Sequence, residues 1–175
     1  ALEAHDRATM TRSFAHGDEA GAVHFAEHGW LLTDTLDADA LMALRAWVDE
    51  IMGWADGDGE WLHYRELTDA GPKLCRTENF VPFHDGLRAL LTTGPMLDTA
   101  SMLLGEQAVL YKEKINYKLA GGAGYAAHQD APAYPFIDAH VSCMVAIDDS
   151  LLDNGCLEVV DRCHHELIVG DERGC

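Results

Sequence analysis

A single α+β domain, with helices laid over a β-sandwich or barrel, is what the texture of the chain predicts. Three observations carry it. Up to residue 106 the apolar positions follow helical spacing and are punctuated by aspartates and glycines at helix ends. From residue 107 onward the apolar residues alternate or run together as they do in strands. The 175 residues are 48% hydrophobic and 24% charged, enough for one core, with no linker, repeat or low-complexity tract to divide them. The domain is therefore expected to span 1–175, helical over 1–106 and strand-rich over 107–175.

Each element has its own signal. Residues 20–28 (AGAVHFAEH) read as a helix ended by Gly29, and Trp30-Leu31-Leu32 as a short strand. Asp37 can cap a helix whose Leu41, Leu44, Val48 and Ile51 recur with the period of one helical face. That helix stops before Gly53 and an acidic, glycine-rich loop over 55–60. Two shorter helices follow at 84–92 and 95–104, the second with Pro95 in its first turn and Gly105 beyond its end. Ala108 to Leu119 alternates as a strand does and leads into the flexible Gly121-Gly122-Ala123-Gly124. Val141 to Ile147 has the pattern of a buried strand, and Asp153-Asn154-Gly155 is a turn leading into a strand over 156–160.

Composition excludes several functions. Thirty acidic against twelve basic side chains give a net charge of −18, which argues against nucleic acid or an anionic membrane as partner, since both are bound by clustered Lys and Arg. No apolar run approaches the roughly 20 residues of a membrane span, and a cytoplasmic location is expected. The cysteines at 75, 143, 156, 163 and 175 include no CxxC pair, so a zinc ribbon is not indicated. Reduced thiols are expected, with Cys143 and Cys156 as small core residues.

The segment richest in chemistry is Gly124-Tyr-Ala-Ala-His128-Gln129-Asp130. On a strand, His128 and Asp130 at i, i+2 share one face. An imidazole and a carboxylate so placed are two-thirds of the 2-His-1-carboxylate triad that binds Fe(II) and leaves positions open. Taken alone, the spacing favours the plainer reading of a surface histidine and a turn aspartate before Pro132.

The wider stretch from His128 to His165 resembles the phytanoyl-CoA dioxygenase family of Fe(II)/2-oxoglutarate oxygenases. It shares the HxD, the Tyr-Pro-Phe loop at 134–136, the apolar run 141–147 closed by Asp148, and Asn154-Gly155-Cys156-Leu157. Gly29-Trp30-Leu31-Leu32 followed by the 37–52 helix resembles the family's opening. The resemblance implies a double-stranded β-helix with flanking N-terminal helices, and His128 and Asp130 as catalytic iron ligands. It further implies Fe(II) as cofactor, 2-oxoglutarate as co-substrate, O2, and hydroxylation of a small molecule. Where the family reads Pro-Gly-Ser-His this chain has Asp161-Arg162-Cys163-His164. The family's second metal histidine and its 2-oxoglutarate arginine come later than Cys175, so the chain is expected to be C-terminally incomplete, with His164 and His165 poor substitutes.

Lysines concentrate in Tyr111-Lys112-Glu113-Lys114-Ile115-Asn116-Tyr117-Lys118, where Lys112, Lys114, Asn116 and Lys118 share one face of a regular strand. In so acidic a chain that face suits a small anion, or else is the solvated face of an edge strand. Arg76 stands where the resemblance implies a basic residue touching 2-oxoglutarate, the alternative being an ion pair with Glu78 or Asp85. Lys114 and Asn116 join it as candidates for 2-oxoglutarate, and Lys118 and Tyr134 as candidates for the substrate. The stretches 112–130 and 75–91 are most similar to the bacterial branch that hydroxylates 2-aminoethylphosphonate, so an organophosphonate is the expected substrate. A non-catalytic ligand-binding β-helix is the rival expectation. His63, His84-Asp85 and His140 read as isolated structural histidines, and Ser142 and Ser150 lack the partners of a nucleophile.

Overall fold

The computed structural model describes residues 12–34 and 36–166. Its helices begin and end where short polar residues and glycines allow. α1 (Glu19–His28) starts at Asp18, whose carboxylate accepts from the Ala20 N–H, and ends at Gly29, left-handed at φ 79°. α2 (Ala38–Met52) is capped by Asp37, which accepts from the Ala40 N–H. α3 (Asp85–Thr92) is capped by the His84 ring, and α4 (Pro95–Leu104) has the proline in its first turn and left-handed Gly105 after its end. These four helices match the sequence expectation closely.

Between α2 and α3 lies a hairpin where the sequence predicts no strand. β1 (Leu62–Thr68) and β2 (Gly71–Glu78) pair antiparallel, and β3 (Lys114–Asn116) adds to β2 in the order β1-β2-β3. The signal was in the turn. The Thr68 hydroxyl accepts from the Ala70 N–H and donates to the Gly71 carbonyl, and Gly71 takes φ 101°. The register shifts by one residue at Tyr64/Arg65, which restores Tyr64 opposite Arg76.

The core fills the angle between helices and sheet. Leu44, Val48 and Ile51 of α2 meet Phe80, Leu87 of α3 and Ile115 of β3, with Trp47, Trp54, Val145 and Ile147 packed around them. One face of the sheet thus belongs to the core, represented by Thr77 and Ile115, both buried.

Other expectations need correction. Trp30–Leu32 is not a strand; the segment makes a single parallel bridge, Phe14 to Thr33. Among the described residues after 106, the only strand is Lys114–Asn116, and 141–147 runs without a ladder. A strand exists only by pairing, and no described segment lies alongside 141–147 to supply its hydrogen bonds. Val145 and Ile147 still reach the core, but Cys143 is exposed. The 151–156 turn forms as expected, with the Asn154 and Cys156 N–H groups both donating to the Leu151 carbonyl.

The end of the described chain is fastened to α1. Asp161 accepts from the Trp30 indole at 2.9 Å and lies 2.8 Å from His28 Nδ1, while the Arg162 N–H donates to the His28 carbonyl. His164 sits over the same helix, 3.2 Å from the Ala26 carbonyl.

Candidate active site

The outer face of the sheet is set by the β2–β3 register. Arg76 stands opposite Asn116 and Glu78 opposite Lys114, so with Thr77 and Ile115 turned into the core these four residues share the other face. Arg76 lies over the Tyr64 ring, 4.3 Å from its centroid, and its Nε is 3.0 Å from Glu78 Oε1. The Arg76–Glu78 pair considered from the sequence is therefore real, but it is not a surface pair: Glu78 is only 9% exposed. Asp85 pairs with Arg88 instead.

The same Glu78 oxygen lies 3.6 Å from Lys112 Nζ. Lys112 turns its ammonium toward the Tyr134 ring, 5.8 Å from the centroid. Burial works against its charge, but hydrogen bonding to Tyr134 and the charge of Glu78 outweigh it and raise its pKa above the ordinary lysine value. Tyr134 also meets Tyr111, His140 and Phe136 edge-on at 5.4, 5.7 and 6.2 Å. Burial and, secondarily, the charges of Tyr134 and Asp130 raise the pKa of the Tyr111 phenol, with Lys112 opposing them.

His128 and Asp130 meet, though on a bend and not a strand. Asp130 has helical backbone angles and leads into a short 3-10 turn over Ala131–Ala133. His128 Nε2 lies 3.6 Å from Asp130 Oδ1, and both side chains are about two-fifths exposed (44% and 36%). Their outer atoms are tied. His128 Nδ1 is 2.7 Å from the Ala126 carbonyl, which can only accept, so Nδ1 carries a hydrogen and Nε2 is the nitrogen turned to the carboxylate. The Ser142 hydroxyl donates to Asp130 Oδ2 at 2.8 Å. Gln129 points the other way and donates to the Cys163 and Glu166 carbonyls. The glycine-rich approach is held to the hairpin through the Ala123 N–H, which donates to Glu66, and through Lys73, which donates to the Ala120 carbonyl.

The donor set fits part of a metal centre. A separation of 3.6 Å can be spanned by one ion with bonds of about 2.1 Å to each atom. Among the described residues no third His, Cys, Asp or Glu joins the pair.

The other sequence-derived candidates divide. Arg76 and Asn116 are brought face to face, and Lys114 stands exposed at the end of that row. Tyr134 is at the centre of the aromatic group. Lys118 is engaged elsewhere, its ammonium 5.4 Å from the Tyr125 ring centroid. Lys112 was placed from sequence only on the shared basic face and Glu78 only as an ion-pair alternative for Arg76, and Tyr111 and Ser142 were given no binding role. The two-residue spacing of Lys112 from Lys114 was a signal for the first. Nothing local marks Ser142, which reaches Asp130 across twelve residues.

The comparisons with known proteins bear on the same segments. The family profile described as phytanoyl-CoA dioxygenase (PhyH) matches residues 19–167. The chain is 50% identical over 133 residues to the methylphosphonate hydroxylase of Gimesia maris, covering 75% of this chain and 51% of that protein. It is 43% identical over 120 residues to a 2-aminoethylphosphonate dioxygenase from an uncultured bacterium (HF130_AEPn_1), covering 66% and 46%. It is 37% identical over 131 residues to the dioxygenase lolE1 of Epichloe uncinata, covering 74% and 51%. The chain thus spans about half the length of the curated relatives it matches. No solved structure matches it significantly. With a matched span running from α1 through the HxD bend to the segment clamped on that helix, the chain belongs to the phytanoyl-CoA dioxygenase family.

Proposed function

We propose that this chain carries part of the active site of an Fe(II)- and 2-oxoglutarate-dependent dioxygenase that hydroxylates a small organophosphonate. The observation that carries the reading is the His128–Asp130 pair, its inner atoms facing each other and its outer atoms tied. The phosphonate-acting relatives support the substrate class. Methylphosphonate and 2-aminoethylphosphonate share a tetrahedral oxyanion and a carbon beside it, and that carbon's C–H bond is the one to be hydroxylated.

In this reading His128 Nε2 and one Asp130 oxygen hold the iron, with a further ligand from another part of the protein. When bound, iron and 2-oxoglutarate supply the oxygen activation. The chain's own residues bind and orient. Arg76, with its planar fork, and Asn116 opposite it take the 2-oxoglutarate carboxylate, with Lys114 at the edge of the same row. Tyr134 lines the substrate side; Lys118 is the more distant cation proposed from the sequence. The whole of 1–175 belongs to one domain, a double-stranded β-helix in which 141–147 and 157–160 find partner strands in the whole protein.

The test is a screen of phosphonates for succinate formation with Fe(II), 2-oxoglutarate and O2, with the hydroxylated product followed by phosphorus NMR. Phosphonate-stimulated succinate and a matching product signal are expected. Succinate formation indifferent to every phosphonate tried would contradict the assignment.

A further inference from the structure

Two anions must be held in the proposed reaction, the co-substrate's carboxylate and the substrate's oxyanion, and the sheet face offers two cationic groups joined by one carboxylate. Glu78 Oε1 lies within 3.0 Å of Arg76 Nε and 3.6 Å of Lys112 Nζ. One buried negative charge is thus shared by two positive ones, and a unit of positive charge is left over. The two cations face different surroundings. Arg76 stacks on Tyr64 and stands opposite Asn116 within the sheet. Lys112 leaves the sheet and reaches the Tyr134 ring. Tyr134 and Tyr111 both pack against the His140 ring, at 5.7 and 6.2 Å.

We infer that Lys112, with the hydroxyl of Tyr134, forms the subsite for the phosphonate oxyanion, separate from the Arg76–Asn116 row that takes 2-oxoglutarate. The inference rests on the proposed function and names the residues of its substrate side. The ammonium shares its three donors among Glu78, the Tyr134 hydroxyl and an incoming oxyanion, and the phenol, accepting from the ammonium, can donate its own hydrogen to the same oxyanion. Charge-assisted bonds of this kind are the stronger sort and discriminate an oxyanion from a neutral isostere. Glu78 acts as a positioning residue: it draws both ammonium and guanidinium to one edge of the face. Lys118, by contrast, is committed to Tyr125 near the Gly155 turn.

The experiment compares Lys112→Met, Lys112→Arg and Tyr134→Phe with the unaltered iron-loaded enzyme. KM and kcat are measured for methylphosphonate and, separately, KM for 2-oxoglutarate. Anaerobic calorimetry with methylphosphonate provides binding without turnover. Lys112→Met should raise the methylphosphonate KM and Kd by about 10- to 100-fold, the loss expected for a hydrogen bond to a charged group, and leave the 2-oxoglutarate KM within about twofold. Lys112→Arg should recover part of the loss, and Tyr134→Phe should cost several-fold. Lys112 is partly exposed, so its variants should fold. A Lys112→Met enzyme with unaltered methylphosphonate KM, or with a change confined to 2-oxoglutarate, would overturn the subsite while leaving the proposed function standing. An unaltered enzyme that neither binds nor turns over any phosphonate would overturn both.

Discussion

Asp130 is held by a residue that plays no part in any sequence motif. Ser142 donates to Oδ2 and leaves Oδ1 toward His128, so the carboxylate is oriented before any ion arrives. Outer partners of this kind commonly carry 10- to 100-fold in metal affinity. Ser142→Ala is accordingly expected to weaken metal binding by about tenfold, with Ser142→Thr close to the original; titration with Co(II), followed by its visible absorption, measures it. Equal affinities in Ser142→Ala and the parent would show that the hydrogen bond orients nothing. At this scale the sequence was informative where chemistry is local. The i, i+2 spacing of His128 and Asp130 picked out two side chains that do meet. Their meeting on a bend, and the parts played by Ser142, Lys112 and Glu78, depend on contacts made across 12 to 34 residues, which no local pattern encodes.

Among the elements, the helices were legible and the sheet was not. Asp18, Asp37, Gly29, Pro95 and Gly105 each satisfy or replace backbone groups at a helix end, and that requirement is written in single residues. The β1–β2 hairpin is rich in charged residues on its outer face, so its alternation is weak, and the Thr68–Gly71 turn is its clearest mark. Helix packing gives a stability prediction. A methyl group at Gly86, on α3, would stand 2.6 Å from the Trp47 ring on α2. Gly86→Ala should cost about 1–3 kcal/mol by overpacking, read as a lower denaturation midpoint at unchanged slope.

The clamp of α1 on the segment around Asp161 gives a pH prediction. His24 is held below its ordinary pKa by burial, with His28 and Arg12 adding to the effect and Asp161 and Glu27 opposing it. A histidine lowered in the fold contributes fully above its unfolded value of about 6.5, and its contribution is lost as pH falls through that range. Asp161 is lowered by its bonds to Trp30 and His28, against the effect of burial. Its contribution is present above about 3.9 and lost on further acidification. The clamp should therefore loosen in two steps on acidification, seen as a Trp30-dependent change in fluorescence that Trp30→Phe removes. A single step below pH 4 would discount the histidine.

For the molecule as a whole, charge and connectivity decide what its sequence can reveal. A chain of net charge −18 has few positive side chains, and one of them, Lys112, reaches the ring of Tyr134, which follows Asp130 closely in sequence. The strand-like segments after 106 have the right alternation but few partners among the described residues; in the β-helix proposed above, pairing would be between distant stretches of chain. Family membership and a relationship to phosphonate hydroxylases agree with the pattern first seen in the sequence. The central claim is that His128 and Asp130 serve iron in a phosphonate hydroxylase. It is tested most directly by the stoichiometry of succinate to hydroxylated phosphonate in the parent, His128→Ala and Asp130→Ala enzymes. The account predicts a ratio near one in the parent and neither product in the variants; hydroxylated phosphonate formed at an undiminished rate by His128→Ala would contradict it.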